Sequence, residues 1–256
     1  MHILLTNDDG VWAKGILDLG AELAKHHRVT VIAPEVEQSA KSHAITIQMP
    51  VRLRRFSEDV DNPRRFAVTG TPTDCMKFAL SHFLKNDMPD LVVSGVNNGF
   101  NLGSDALYSG TVSAAMEAMF YNVPALAVSV ERYSPTRSAE IMPFIREFIE
   151  EVYEKQQYRG LLNMNFAKEG LVGWANCEIL DQGLQQYYDI IDPREDRKGR
   201  KYYWIGGKLG FEPEATPTDV ASVKEGKVTV VALTWKQQDA AGTAQMRNIL
   251  GEVKNQ

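Results

Sequence analysis

Residues 2–10 read HILLTNDDG. The first five make a short apolar run, the pattern of a strand covered on both faces. Asn7, Asp8, Asp9 and Gly10 then fall at its carboxyl end. The same logic repeats outward along the chain. Ile16, Leu19, Leu23 and Ala24 mark one helix face, and VTVIA at 29–33 is a second strand, stopped by Pro34. LVVSG at 91–95, ALAVS at 125–129 and LLNMNF at 161–166 read as further strands. The spacing predicts a helix over 71–84, opened by a capping box at Thr71-Pro72-Thr73-Asp74. A second helix starts near 111, with Val112, Ala115, Met116, Met119 and Phe120 inward, and a third carries Ile141, Phe144, Ile145, Phe148, Ile149 and Val152. Strand–helix–strand order predicts an α/β fold with a parallel sheet covered on both faces. Its ligand should lie beyond the carboxyl ends of the strands.

The pattern changes after about residue 175. Aromatic-rich runs at 185–191 and 201–205 flank the charged segment DPREDRKGR and predict an extended β-hairpin. A strand at 226–233 and a helix over 237–253 follow. Tyr187, Tyr188, Tyr202, Tyr203 and Trp204 do not all sit comfortably in water. Either the hairpin folds back on the core or it packs on another subunit, and an oligomer is the favoured expectation. The chain is thus expected to be one domain overall, with a catalytic core over 1–175 and an oligomerisation region over 176–256.

A net charge of −5 and a pI near 5.6 speak against a dedicated binder of nucleic-acid duplexes. An anionic substrate stays open, because a bound cation supplies local positive charge. Cys75 and Cys177 form no ligand spacing and read as buried thiols of a reducing compartment. With no secretory leader pattern and no apolar run near the roughly 20 residues that span a bilayer, the expectation is a cytoplasmic protein without membrane contact.

Two adjacent carboxylates repel unless a cation lies beside them. Asp8 and Asp9 therefore read either as a site for a hard cation, Mg²⁺ or Mn²⁺ with Ca²⁺ a further option, or as part of a tight turn. Other strand ends favour the site. Ser94, Asn97, Asn98 and Asn101 follow or end the strand at 91–95, and Ser39 sits in the loop after VTVIAP. Three loops on one sheet edge thus offer oxygen donors. Ser109, Gly110 and Thr111 open a helix, where free N–H groups can cradle a phosphate; the plain alternative is an N-cap. His43 is the histidine near these loops, either a general acid or a structural residue. The GxxxxGK[ST], GxSxG, HExxH and GxGxxG fingerprints are missing.

TNDDG at 6–10, GTPTDC at 70–75, SGVNNGFNLG at 94–103 and YSGTVSAAMEA at 108–118 resemble the SurE survival-protein nucleotidases. LNMNF at 162–166, KYYWIG at 201–206 and DVASVKEGKVTVVAL at 219–233 are similar to later segments of that family, so the resemblance covers nearly the whole chain. It implies a Rossmann-like three-layer fold with an extended hairpin and a C-terminal helix exchanged between subunits of a homodimer or homotetramer. It implies metal-dependent hydrolysis of nucleoside 5′- and 3′-monophosphates, with short polyphosphate as a side substrate. Asp8 and Asp9 are then the catalytic pair, Asp8, Asp9, Ser39 and Asn97 the ligands of one divalent cation, and Ser109, Gly110 and Thr111 the phosphate cradle. Asn7, Ser94, Asn98 and Asn101 join the expected substrate contacts. Two positions depart from the family: Ala40-Lys41 replaces a glycine soon after Ser39, and Thr234-Trp235 stands where many members carry a histidine.

Two rivals share the carboxylate chemistry. Phosphatases with a covalent aspartate use Asp-x-Asp, whereas these aspartates are adjacent. Receiver domains also hold Mg²⁺ at paired acids, but are about half this length and would leave the hairpin unexplained.

Overall fold

The apolar strand β1 (His2–Thr6) is buried along its whole length and lies within the sheet. In the computed structural model, which describes residues 1–57, 61–210 and 216–254, β1 pairs in parallel with β2 (Arg28–Pro34) on one side. On its other side it pairs in parallel with β5 (Leu91–Asn98). The full order is β3 (Leu53–Arg55), β4 (Arg64–Val68), β2, β1, β5, β6 (Ala125–Val130), β7 (Leu161–Phe166), β11 (Val228–Leu233) and β8 (Cys177–Ile179). The chain builds outward from β1 through β2 and β4, then returns to the far side of β1 for β5, β6 and β7. Strand order therefore reverses between β1 and β5, which opens a crevice beyond their carboxyl ends.

Alternation along β1 divides the core. Ile3 and Leu5 face one helix layer, α1 (Lys14–Leu23) and α4 (Pro135–Ile149). Leu4 faces the other, α2 (Pro72–Phe78) and α3 (Gly110–Met119). This is the expected three-layer α/β arrangement. Gly15 brings α1 close to β5: a Cβ there would lie 2.2 Å from the Val96 carbonyl oxygen. The helix entering from β1 is thus pressed against the strand that carries Asn97.

Several elements differ from the sequence reading. β3 and β4 were not expected, because LRR and RRFAV interrupt the apolar pattern with arginines at a sheet margin. Past residue 175, β8 and β11 rejoin the main sheet, with β11 antiparallel to β7. The hairpin is longer than its aromatic runs. β9 (Tyr187–Glu195) and β10 (Lys201–Leu209) pair from Tyr187 with Leu209 out to Glu195 with Lys201. Pro193 sits inside β9, as an isolated two-stranded ribbon tolerates. Tyr188, Tyr203, Trp204 and Ile205 remain exposed on this arm. The short helix α5 (Asp219–Ser222) braces its root, since Asp219 accepts from the Gly103 and Gly183 N–H groups. The last helix, α6 (Ala240–Lys254), leaves Met246, Ile249 and Leu250 exposed. Among the described residues, no helix is long and apolar enough to cross a membrane.

The capping box at α2 forms as expected. Thr71 Oγ1 accepts from Asp74 N at 3.1 Å, and Asp74 Oδ2 accepts from Thr71 N at 2.9 Å. The same hydroxyl donates to the Ala44 carbonyl at 2.7 Å. Thr71→Ala removes the cap and this loop tie together, and should cost about 1–2 kcal/mol of stability in urea unfolding.

Candidate active site

The crevice beyond β1 and β5 opens into a cavity of about 1010 Å³. Asp8, Asp9, Glu37, Ser39, Asn97, Asn98, Asn101 and Ser109 line it, so three strand-end loops do converge. Its other walls come from Ser104, Asp105, Leu107 and Tyr108, and from the root of the arm: Leu184, Gln185, Gln186, Tyr187, Asp189 and Ile205. Among the described residues, no Lys, Arg or His lines it.

Asp8 is buried and held from behind by α3. Thr111 Oγ1 donates to Asp8 Oδ1 at 2.5 Å, and Thr111 N donates to Asp8 Oδ2 at 3.2 Å. Gly110 permits the approach, because a Cβ there would lie 2.9 Å from Asp8 Cβ. Asp9 Oδ2 accepts from the Asn98 N–H at 3.2 Å. Its Oδ1 takes no hydrogen bond among the described residues. Asn97 Nδ2 donates to the Gly99 carbonyl at 2.8 Å, which directs the amide; its Oδ1 likewise takes none. Ser39 Oγ donates to Glu37 Oε1 at 2.7 Å. Asn101 is clamped in place: its Nδ2 donates to Ser129 Oγ, its N–H to Asn165 Oδ1, and its carbonyl accepts from Asn163 Nδ2.

Electrostatic strain follows from this crowding. Burial pushes the Asp8 carboxyl above its ordinary value despite the bonds from Thr111. Burial first, and then the charge of Asp8, push Asp9 up to about 6. Glu37 adds a smaller push to both. Among the described residues, no group of three His, Cys, Asp or Glu side chains could hold a metal unaided. A cation here would also need the neutral oxygens of Ser39 and Asn97. The donor set fits a hard divalent cation, because every donor is oxygen and the acid pair lacks any other positive partner.

Five expected contacts do not reach the cavity. The Asn7 amide closes the turn on Gly10, donating to its carbonyl at 2.9 Å and accepting its N–H. Ser94 is buried within the sheet, because its side chain falls on a covered face of β5. Gly110 and Thr111 stand behind Asp8 and support it instead of facing a ligand. His43 does not point at a leaving group: its Nε2 bonds Glu117 Oε2 at 2.8 Å. Of the expected phosphate cradle, Ser109 lines the cavity; its Oγ caps α3 by accepting from Val112 N, and its own proton is free to donate. Sequence reasoning missed Glu37 and the arm root. Glu37, two residues before Ser39, looked like an ordinary surface acid in a polar loop.

The family model described as survival protein SurE matches residues 3–189. The chain belongs to the SurE family. A 5′-nucleotidase SurE of Thermoanaerobacter sp. (strain X514) is 42% identical over 236 residues, covering 91% of this chain and 92% of that protein. A 5′-nucleotidase SurE of Caldanaerobacter subterraneus subsp. tengcongensis is 40% identical over 241 residues, covering 93% and 92%. The crystal structure of a SurE protein from Aquifex aeolicus superposes with a TM-score of 0.79 at 29% identity, over 97% of this chain and 99% of that one. The two chains therefore share one fold over nearly their whole length.

Raised acid pKa values set a pH signature in metal-free protein. Where the folded state holds a proton more tightly than the unfolded chain, stability falls as pH rises from the unfolded to the folded pKa. For Asp9 that window runs from 3.8 to about 6. Asp9→Asn should therefore raise stability in chelator near neutral pH, by about 1–2 kcal/mol after solvent screening. Urea unfolding across the pH range should show the gain shrinking through this window as the wild type takes up its proton.

Proposed function

We propose that this protein is a divalent-metal-dependent phosphomonoesterase that releases phosphate from nucleoside 5′- and 3′-monophosphates, with short polyphosphate as a further substrate. One observation carries the reading: a cavity lined by Asp8, Asp9, Glu37, Asp105 and Asp189, with no cationic side chain among the described residues. A phosphate dianion cannot settle among like charges without a cation. The relatives' name, 5′-nucleotidase, supports the phosphate-ester substrate. The walls suit a nucleoside, since Tyr108, Tyr187, Leu184 and Ile205 offer apolar surface and Gln185 and Gln186 offer amides for a base or sugar.

Asp8, Asp9, Ser39 and Asn97 would hold Mg²⁺ or Mn²⁺, one ion per subunit. Bound there, the ion supplies Lewis-acid polarisation of the phosphoryl group and makes water a better nucleophile. Asp8 acts as a fixed ligand, because Thr111 occupies both its oxygens. Asp9 keeps an open oxygen and is the residue that orients the attacking water and takes its proton. The Ser109 hydroxyl donates to the phosphoryl oxygens, and the clamped Asn101 fixes the wall beside them. The exposed arm and α6 suit burial against a second copy of the chain, as a homodimer or homotetramer with the C-terminal helix exchanged. The free Cys75 and Cys177 suit a reducing cytoplasm.

Phosphate release from 5′-AMP, 3′-AMP and tripolyphosphate, assayed with Mg²⁺, Mn²⁺, Ca²⁺ or Zn²⁺, tests the proposal. Activity should vanish in chelator and return with Mg²⁺ or Mn²⁺. Asp8→Asn or Asp9→Asn should lower kcat at least about a hundredfold while the circular dichroism spectrum is kept. Near-wild-type turnover by either variant would refute the assignment.

A further inference from the structure

Ser39 is carried by a segment with no helix or strand of its own, residues 35–50. Two alanine- and serine-type residues within it, Ala40 and Ser42, adopt left-handed backbone at φ of 56° and 51°. Such conformations persist in non-glycine residues when outside contacts hold them. Past His43 the segment is tied to α2, where the Ala44 carbonyl accepts from Thr71 Oγ1 at 2.7 Å and Thr46 N donates to Asp74 Oδ1 at 2.9 Å; nearer Ser39 the contacts are these. Gln38 N donates to the Asp8 carbonyl at 2.7 Å, before Ser39. After it, Ser42 N and Oγ donate to the carbonyls of Tyr108 and Leu107 at 3.0 and 2.7 Å. His43 Nε2 then meets Glu117 Oε2 at 2.8 Å, with the imidazole 6.1 Å from the Phe120 ring.

Glu117 differs from the other members of this set. It projects from α3, the helix that also clamps Asp8, and its side chain is only 3% exposed. Burial alone would raise its carboxyl, but bonds from His43 and Lys77 outweigh this and leave it below the ordinary value. Lys77 Nζ holds the other oxygen, Oε1, at 2.8 Å. The carboxylate therefore has one partner on helix α2 and one on the loop. Losing the loop partner leaves a paired charge in the core, so the helices should survive a change at His43.

We infer that His43 is a positioning residue whose bond to Glu117 latches the loop onto α3 and so keeps Ser39 at the cation site. One rigid helix then sets both an acid ligand, through Thr111, and the hydroxyl ligand, through Glu117. The inference rests on the reading of Ser39 as a cation ligand given above. It replaces the expected acid role of His43 with a mechanical one, and it gives Glu117, Lys77 and the loop a common purpose.

Lys41 lies in the latched loop and is exposed, so trypsin reads the latch directly. His43→Ala in the full chain should be cut between Lys41 and Ser42 about tenfold faster than wild type, the scale of one hydrogen bond to a charged group. By calorimetry with Mn²⁺ alone, its affinity should fall severalfold. In turnover, the Mn²⁺ concentration for half-maximal rate should rise while kcat at saturating Mn²⁺ stays near wild type. His43→Gln, which places an amide N–H near the Nε2 position, should restore all three readings. Unchanged cleavage at Lys41 would overturn the latch. Faster cleavage with unchanged Mn²⁺ affinity would overturn its link to Ser39, as would a fall in kcat that saturating Mn²⁺ does not repair. Should the wild type bind no Mn²⁺, the cation reading itself fails, and cleavage at Lys41 alone decides the latch.

Discussion

Two like charges set side by side at the end of a buried strand are the constraint around which this molecule is arranged. Neither Asp8 nor Asp9 gains from its place: burial raises both carboxyls, and the charge of Asp8 pushes Asp9 further. The fold retains them there by surrounding each with N–H and O–H donors from other elements. Thr111 supplies two bonds to Asp8, and the Asn98 N–H supplies one to Asp9. Hydrogen bonds to charged acceptors are strong enough to hold a geometry, yet they do not cancel a charge. The remaining negative field is what a cation would meet.

The acid pair sits where the sheet reverses its strand order. Asp8 and Asp9 leave β1 at the switch point, with β5 as the immediate neighbour, so Asn97 and Asn98 arrive without any long loop. α3 enters the same crevice with Gly110 against Asp8, a contact that any side chain at this position would push apart. The rigid parts of the site thus come from strand ends and a helix start. The adjustable parts are the Ser39 loop and the arm root, which close the cavity from either side. Positions that demand sub-ångström constancy sit on regular elements, and those that must admit a ligand sit on loops.

Much of this was legible in the chain itself. Apolar runs of five residues between amphipathic stretches have one good solution, a covered parallel sheet, and the NDDG turn at its first strand end pointed to the site. What was misjudged shares a physical cause. Thr111, Gly110 and Asn7 were assigned to a ligand because their chemistry suits one, but the same chemistry also suits a neighbouring carboxylate or a turn. Periodicity does not distinguish a donor aimed at substrate from one aimed at Asp8; only the packing of α3 against β1 does. Ser94 was misplaced for a simpler reason: β5 runs on to Asn98, which leaves Ser94 inside the strand, in a stretch buried on both faces. β4 was missed because arginines at a sheet margin mask a strand whose inner residues, Phe66 to Val68, are fully buried.

Glu37 shows how a site can exceed what its motif suggests. In sequence it is one acid among several in a polar loop; in space it accepts from Ser39 Oγ and adds its field to both aspartates. A third carboxylate makes the metal-free cavity more hostile to an anion and, by the same amount of charge, more receptive to a divalent cation. In the proposed cation site, Ser39 would exchange its bond to Glu37 for the cation, turning its oxygen lone pairs inward. A hydroxyl suits that exchange because it both donates and accepts, whereas a fourth carboxylate would deepen the repulsion that the fold already has to contain. The proposed donor set of two acids, one hydroxyl and one amide would thus respect the limit on how much negative charge the end of a single buried strand can hold.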